Sequence, residues 1–533
     1  MLQGQAPSLL VRAERIARDF DVSAEQVRSI TRHLVAQLKD GLANPRPWQL
    51  PSYVQSIPTG AEKGEFLAVD LGGSNCRICL VNLKGDSTFD VAQSKHIVPP
   101  SLMVSNSHRP LFDYIAHRLK EFLEKRAGLA DQLPYSLGFT FSFTCEQLSL
   151  ASGRLIRWDK GWDVPDALGR DPCVMLQDAI DRQGLPIRVT VLANDSVGTL
   201  LTRSYISGPK TSTLAAIIFG TGTNAAYVER LSNVRRMTTT VPSSGIMVMN
   251  TEWGCLDDKM QVLPRTPFDD EVDASSTDPG SQMLEKRVSG LYLGELLRLA
   301  IVQLYRQHTF VMELDEKSTV FQHGNINSSF ISKLATASAK SAIDLVEDVL
   351  AAKNTTPEDV QAIQLIASSI ARRAARLAGA SLAALIIQSG RLAPSPKHST
   401  SLACKVEEPQ PAENSSSTRV QRFWQSLGLL WQRLLKSVGM GPIVRKPHSC
   451  RSSQQTQISR EENGEQSIID IGADGSLIEL YPAFETEMRG ALRDVTEIGL
   501  AGEQRVRVHL TKDGSGVGAA LMAQAASQLE KME

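Results

Sequence analysis

Cysteine is scarce, with seven in 533 residues. A set so sparse, and odd in number, excludes a disulfide framework and points to a reducing compartment. The nine histidines form no His-x-x-His pair and no Cys/His ligand spacing, so no zinc site is written in the chain. No run of about 18 apolar residues occurs, which excludes a membrane-spanning helix. The opening MLQGQAPSLLVRAERIARDF lacks an apolar signal core, and Glu14, Asp19 and Asp21 argue against a transit peptide. Neither charge dominates: 57 Lys+Arg face 58 Asp+Glu, a net charge of −1. Bulk attraction for nucleic acid or acidic lipid is therefore excluded, and direct nucleic-acid binding is not expected. Cytoplasmic residence is the expectation, with nuclear or organelle-surface association left to a local patch. G-x-x-x-x-G-K-[ST] is absent, so the chain is not a P-loop ATPase. What remains is globular: 42% hydrophobic and 22% charged, and long enough for more than one core.

Hydrophobic spacing organises the chain. Residues 8–42 read as helix, with Ser23 and Gln26 at capping-box spacing and Val27, Ile30, Leu34 and Leu38 on one face. A Pro-containing connector follows at 45–58. EFLAVDLGGSNCRICLVNL (65–83) and TLAAIIFGTGTNAAYVERL (213–231) share one grammar, strand, Gly turn, strand. Two such hairpins predict a duplicated lobe. Helix-like and strand-like runs alternate between them, at 111–126, 136–144, 174–184 and 187–193, as in mixed α/β layers. Helical patterns then cover 285–309, 328–352 and 357–389. Residues 393–466 are rich in Ser, Pro, Gln, Glu and Arg and read as a linker-like insertion. Order returns at 467–480 and 506–526.

Chemistry concentrates in Gly/hydroxyl turns at strand ends. Asp70-Leu-Gly-Gly-Ser-Asn-Cys-Arg77 joins an acid, a double-Gly turn and a guanidinium. Gly lets the backbone approach an anion, and Arg offers a planar fork to phosphate oxygens. Phe219-Gly-Thr-Gly-Thr-Asn224, Gly472-Ala-Asp-Gly-Ser476 and Lys512-Asp-Gly-Ser-Gly516 repeat the pattern. Cys76 and Cys79 form a C-x-x-C, but residues three apart on a strand face opposite ways, so they read as buried small hydrophobes.

In wording and order these segments resemble the hexokinase/glucokinase family, and within it the fungal glucokinase-like branch. DLGGSNCRICLV resembles the first phosphate motif. LGFTFSF (137–143) and RLIRWDKGWDVP (154–165) resemble the sugar-binding stretch. LANDSVGTL (192–200) resembles the segment of the catalytic Asp, and FGTGTNAAYVE (219–229) the second phosphate motif. NTEWGCLDD (250–258) and LEKRVSGLYLGELLR (284–298) resemble further sugar-pocket segments. IGADGSLIELYPAF (471–484) resembles the adenosine motif, and KDGSGVGAAL (512–521) the C-terminal signature.

The resemblance implies an α/β, two-lobed, actin-like ATPase fold with a central cleft. Its expected parts are an N-terminal helix and connector (1–63) on the large lobe and a small lobe at 64–205. A large lobe at 206–511 is interrupted by 393–466, and a C-terminal helix (512–533) returns to the small lobe. The implied activity is phosphoryl transfer from Mg-ATP to the 6-hydroxyl of glucose or a similar hexose. The resemblance maps the catalytic base to Asp195, whose carboxylate could take a hydroxyl proton. It maps hexose contacts to Ser142, Asp159, Lys160, Asn194, Asn224, Glu252 and Glu285. It maps the ATP wall to Asp70, Gly72, Gly73, Ser74, Asn75, Arg77, Gly220, Thr221, Gly222, Asp474, Gly475 and Ser476. Mg²⁺ is expected to be held through phosphates and water, without a protein ligand cluster.

Two departures from the family pattern open an alternative. Asp159 stands in Trp158-Asp159-Lys160-Gly161 where the family commonly has Thr. An ionised Asp159 near Asp195 would add repulsion of about 3 kcal/mol at ~5 Å and effective ε ~20, roughly two decades in rate. Turned outward or paired with Lys160, it would be harmless. Thr144 replaces a usual Pro. The second departure is RFWQSLGLLWQRLLKSV (422–438), a basic amphipathic pattern; residues 419–446 carry six positive charges and no acid. It reads as membrane-surface or partner docking, as a helix packing back on the body, or as translated intron sequence. The alternative function is a catalytically impaired hexokinase-like sugar sensor or regulator of the carbon response. The oligomeric state is not legible.

Overall fold

The computed structural model describes residues 8–73, 75–126, 135–158, 161–237, 245–392 and 468–530. It opens with α1 (Leu9–Asp19) and α2 (Ala24–Ala43). The expected single helix over 8–42 is thus two. The first ends at Asp19 with Phe20 as its cap, and Ser23 starts the second: its side chain accepts from the Gln26 amide, and the Gln26 side chain accepts from the Ser23 amide. Then come β1 (Leu50–Pro51), β2 (Lys63–Gly72), β3 (Asn75–Lys84), β4 (Phe89–Ile97), α3 (Pro100–Met103) and α4 (Arg109–Glu124). β5 (Tyr135–Phe141), β6 (Thr144–Ser149), β7 (Ser152–Arg157), α5 (Pro172–Arg182) and β8 (Ile187–Ala193) follow, and α6 (Asp195–Ser207) closes this half.

The second half begins with β9 (Thr213–Phe219), β10 (Thr223–Arg230) and β11 (Ile246–Asn250). Helices dominate next: α7 (Pro267–Ser275), α8 (Glu285–Val288), α9 (Gly290–Arg306), α10 (Ser328–Thr336), α11 (Ala339–Leu350) and α12 (Pro357–Ser389), with a small ladder of β12 (Glu313–Leu314) and β13 (Ala352–Lys353). The expected helices over 285–309 and 328–352 are each interrupted, at Ser289 and at Ala337–Ser338. Ser338 caps α11 by accepting from the Ser341 amide. α12 keeps its expected span, with a Thr356/Asp359 capping box and a left-handed Gly390 at its end. The chain finishes with β14 (Ile469–Asp474), α13 (Ser476–Leu480), α14 (Phe484–Asp494), α15 (Gly499–Glu503), β15 (Val506–Leu510) and α16 (Gly514–Glu530).

Two sheets carry the fold. One runs β4-β3-β2-β5-β8, the other β1-β11-β10-β9-β14-β15. In each, an antiparallel hairpin pairs with a third antiparallel strand on one side and two parallel strands on the other. Apart from β1 at an edge, the strand orders correspond one to one, which is the duplication expected from the two hairpins. Cys76 packs in the cluster on one face of the first sheet with Leu67 and Phe139, and Cys79 in the cluster on the other face with Val191 and Ala519. Burial pushes both thiols up, Cys79 to about 12, so neither is a nucleophile.

α6 and α16 cross in close contact beside both sheets. A Cβ on Gly518 would stand 2.1 Å from Gly198 Cα, so only glycine permits this approach. Arg203 of α6 makes a buried fork with Asp470 of β14, at 2.6 to 3.1 Å, and Asp470 also accepts from Thr213 and Ser207 hydroxyls. The helix that begins at Asp195 is thereby fastened to the second sheet. The expected insertion at 393–466, with its basic helix, lies outside the described residues. Among the described residues no helix is long and apolar enough to cross a membrane.

Candidate active site

The strand ends of both sheets open on one cavity of about 360 Å³, a size suited to a small-molecule ligand. Asp70, Gly72, Gly73, Asn75, Arg77, Ser142, Asn194, Asp195, Thr221, Gly222, Asn224, Glu252, Glu285 and Asp474 line it. Adjacent or far apart in the chain, these residues converge because each sits near the end of a strand or the start of a helix facing the same gap.

Local geometry explains their placement. The β2–β3 hairpin pairs Gly72 with Asn75, which sets Asp70 directly across from Arg77. Arg77 stands 4.0 Å from Asp70 and 3.9 Å from Asp513. Ser515 Oγ, at the start of α16, donates to Asp70 Oδ2 at 2.7 Å. Asn194 caps α6: its Oδ1 accepts from the Ser196 amide (2.9 Å), the Ser196 hydroxyl (2.6 Å) and Asn224 Nδ2 (3.2 Å). Asp195 is the first helical residue, where the helix dipole favours negative charge, and its Oδ1 accepts from the Ser196 amide at 2.7 Å.

Across the cavity, Asn224 Nδ2 also donates to Asn250 Oδ1 (2.9 Å), and Asn250 Nδ2 donates to Glu252 Oε1 (2.8 Å). Glu285 Oε2 accepts from the Thr223 amide at 2.9 Å. Glu252 is held in the left-handed region at φ 48, a conformation that costs a non-glycine residue energy and that sites store. Burial pushes the Asp474 carboxyl up to about 6; the Gly475 amide opposes this and the charge of Asp195 adds to it.

Three of the expected ATP-wall residues stand back from the cavity lining. Gly220 and Gly475 pack against each other, and a Cβ on Gly475 would lie 2.3 Å from the Phe219 carbonyl. Gly475 has φ +112 and starts α13, with Ser476 as its first residue. Their part is to shape the turn behind Thr221 and Gly222. Ser74, Asp159 and Lys160 lie outside the described residues. Their neighbours are placed: Trp158 and Trp162 stack at 5.5 Å, and Trp162 Nε1 donates to Gly73 O at 2.5 Å. Thr144 is buried at the start of β6 and its hydroxyl has no partner, the cost of standing where the family pattern has Pro.

The structure adds residues that motif reading passed over. Asn250, Gln282, Thr223 and Ser515 are cavity-lining or bonded to cavity residues. Asn250 and Ser515 lay inside recognised motifs, so a signal existed; Gln282 lay three residues before Glu285 with none. Among the described residues no cluster of three or more His, Cys, Asp or Glu is arranged to hold a metal.

Two sequence models described as hexokinase match residues 12–205, and 214–409 with 435–525. The chain is 36% identical to a glucokinase of Aspergillus niger, over 98% of each protein. It is 31% identical to glucokinase-1 of Saccharomyces cerevisiae, over 97% of each. A solved hexokinase of Schistosoma mansoni complexed with glucose superposes with a TM-score of 0.74 at 28% identity, covering 97% of this chain and 99% of that one.

Proposed function

The chain belongs to the hexokinase family, and from that premise we propose that it transfers the γ-phosphate of Mg-ATP to the 6-hydroxyl of glucose or a similar hexose in the cavity between the two sheets. Its fold is the two-lobed, actin-like one of that family, and it is a kinase acting on an alcohol group. Family members use ATP, generally with Mg²⁺. The observation that carries the reading is the convergence of Asp195 with Asn194, Asn224, Glu252 and Glu285 on one side and with Asp70, Arg77, Thr221 and Asp474 on the other.

Asp195 is the general base. The Ser196 amide fixes one of its oxygens, which orients the carboxylate to take the hydroxyl proton as the oxygen attacks phosphorus, a contribution of roughly 10²–10⁴ in rate. Asn224, braced by Asn250 and Asn194, and Glu252 and Glu285, braced by Asn250 and the Thr223 amide, orient the sugar so that one hydroxyl meets the base. Ser142 joins them from the first lobe.

The donor set fits Mg-ATP. Asp70, Asp195 and Asp474 bring three carboxylates to one cavity; burial raises the Asp474 carboxyl, and the charge of Asp195 adds to that. A divalent cation held through water and phosphate relieves that charge. Arg77 and the amides of the Gly72–Gly73 and Thr221–Gly222 turns suit phosphate oxygens. Bound Mg-ATP supplies the phosphoryl group and neutralises its developing charge.

A coupled assay of the purified protein with glucose, mannose and fructose tests the reading. Turnover with ATP and Mg²⁺ is expected, and Asp195→Asn should lose about 10²–10⁴-fold in kcat while still binding hexose. A wild-type protein that phosphorylates none of the three overturns it.

A further inference from the structure

Glu252 and Glu285 come from two segments joined below the cavity. The Leu284 amide donates to Gly254 O at 3.2 Å, and the Met283 amide donates to Asp258 Oδ1 at 3.0 Å. The Gln282 amide also reaches the Asp258 carboxylate. The seam is tight: a Cβ on Gly254 would stand 2.5 Å from Gln282 Oε1 and 3.2 Å from Glu285 Cβ. Both ends of the seam hold a non-glycine residue in the left-handed region, Glu252 at φ 48 and Gln282 at φ 54. Gln282 lines the cavity, is only 4% exposed, and its buried Oε1 has no partner within the protein.

Two strained backbones and one unsatisfied amide are held facing the cavity, and among the bonds that join the two segments is a charge-assisted one, from the Met283 amide to the Asp258 carboxylate. We infer that Asp258 is a positioning residue for the hexose, holding the Gln282–Glu285 turn against the Glu252–Asp258 loop so that Gln282, Glu252 and Glu285 meet the sugar at one fixed spacing. This rests on the cavity being the hexose site.

The groups facing Asp258 are Arg157 at the end of β7, Lys286 in α8 and the Cys255 thiol in its own loop. Lys286 is committed elsewhere, paired with Asp273 at 2.7 Å and Asp278 at 3.3 Å. Arg157 forms no ion pair within 4 Å among the described residues, and its Nε is buried without a partner. Burial outweighs both cations and both amide bonds and pushes the Asp258 carboxyl up to about 6. Below that pH the carboxyl gains a proton and one oxygen ceases to accept; burial favours this neutral form, so the native state is not weakened, but the charge-assisted bond of the seam is lost and its spacing relaxes. Hexose affinity therefore falls as pH falls through about 6.

Calorimetric titration of glucose into the full-length protein at pH 5 to 8, with turnover measured separately, tests this. The wild-type Kd is expected to rise up to about tenfold from pH 7.5 to pH 5, the scale of one charge-assisted hydrogen bond. Asp258→Asn should bind about tenfold more weakly at pH 7.5 and show a flat pH profile, with kcat at saturating glucose within about twofold of wild type. A residue of merely structural importance would lower Tm and leave the pH dependence in place. A wild-type Kd that is flat in pH overturns the inference without any variant, as does an Asp258→Asn protein with wild-type affinity and profile. Binding with the expected profile but no turnover would overturn the kinase reading and keep this one; turnover with a flat profile would do the reverse.

Discussion

The turn between β2 and β3 and the turn between β9 and β10 occupy equivalent places in two sheets of matching strand order, yet they are held differently. In the first, Gly73 has φ +57 and a Cβ there would meet nothing within 4 Å. Trp162 Nε1 donates to the Gly73 carbonyl. The second is clamped on its outer side. The Gly290 amide donates to Gly220 O at 2.8 Å, the Leu291 amide to Thr221 O at 3.1 Å, and Gly475 presses on the Phe219 carbonyl. One turn has open space at its tip; the other is built into the helical half of the molecule. The described backbone of the two turns thus differs in how it is joined to the rest of the molecule.

The largest test concerns the join between the sheets. Arg203→Ala leaves Asp470, 1% exposed, without its fork, and should cost about 3–5 kcal/mol of stability in denaturant melts. A loss under about 1 kcal/mol would mean that α6 is held to β14 by packing alone. Next is a paired test of the two turns. Gly475→Ala faces both a forbidden φ of +112 and a 2.3 Å clash, and should cost about 3 kcal/mol or leave the protein unfolded. Gly73→Ala has room and pays only the left-handed penalty of about 1 kcal/mol, with its main effect on the KM for Mg-ATP. Equal losses in the two variants would erase the distinction between a clamped turn and an open one.

The smallest effect is electrostatic. Asp195→Asn removes one of the charges that raise Asp474, so its titration, followed by carboxyl-carbon NMR, should fall from about 6 toward the ordinary carboxylate range. An unmoved value would place the two carboxylates in separate fields. The sign of the stability term is also set. A carboxyl raised above its unfolded value favours the native state most when protonated, so that contribution is complete below about 3.8 and lost as pH rises through about 6.

Much of this was legible from residue order. The hairpins at 65–83 and 213–231 announced the duplication, because Gly between apolar β-rich runs permits little else. α12 kept its expected span because a capping box and a terminal glycine mark both ends. The interrupted helices were read through because their breaks are made by serines, which a helix tolerates and a cap exploits equally. Among site residues, most of those in the Gly turns were found, but Thr223, Asn250 and Ser515, inside recognised motifs, were passed over. Gln282 and Asp258 were not, since a glutamine or an acid in a polar loop looks like solvated surface until two distant segments are seen bonded together.

Local order and chemistry, then, were determined by the sequence itself: where strands turn, where α2 and α12 begin, and which acids and amides stand at strand ends. These follow from interactions a few residues long. Only the tertiary structure decided that Asn224 touches Asn194, that Ser515 bonds Asp70 across 445 positions, and that Asp470 of β14 takes Arg203 from α6. Such contacts form when two sheets and two crossing helices bury their apolar faces together, and that burial is a property of the whole chain rather than of any segment.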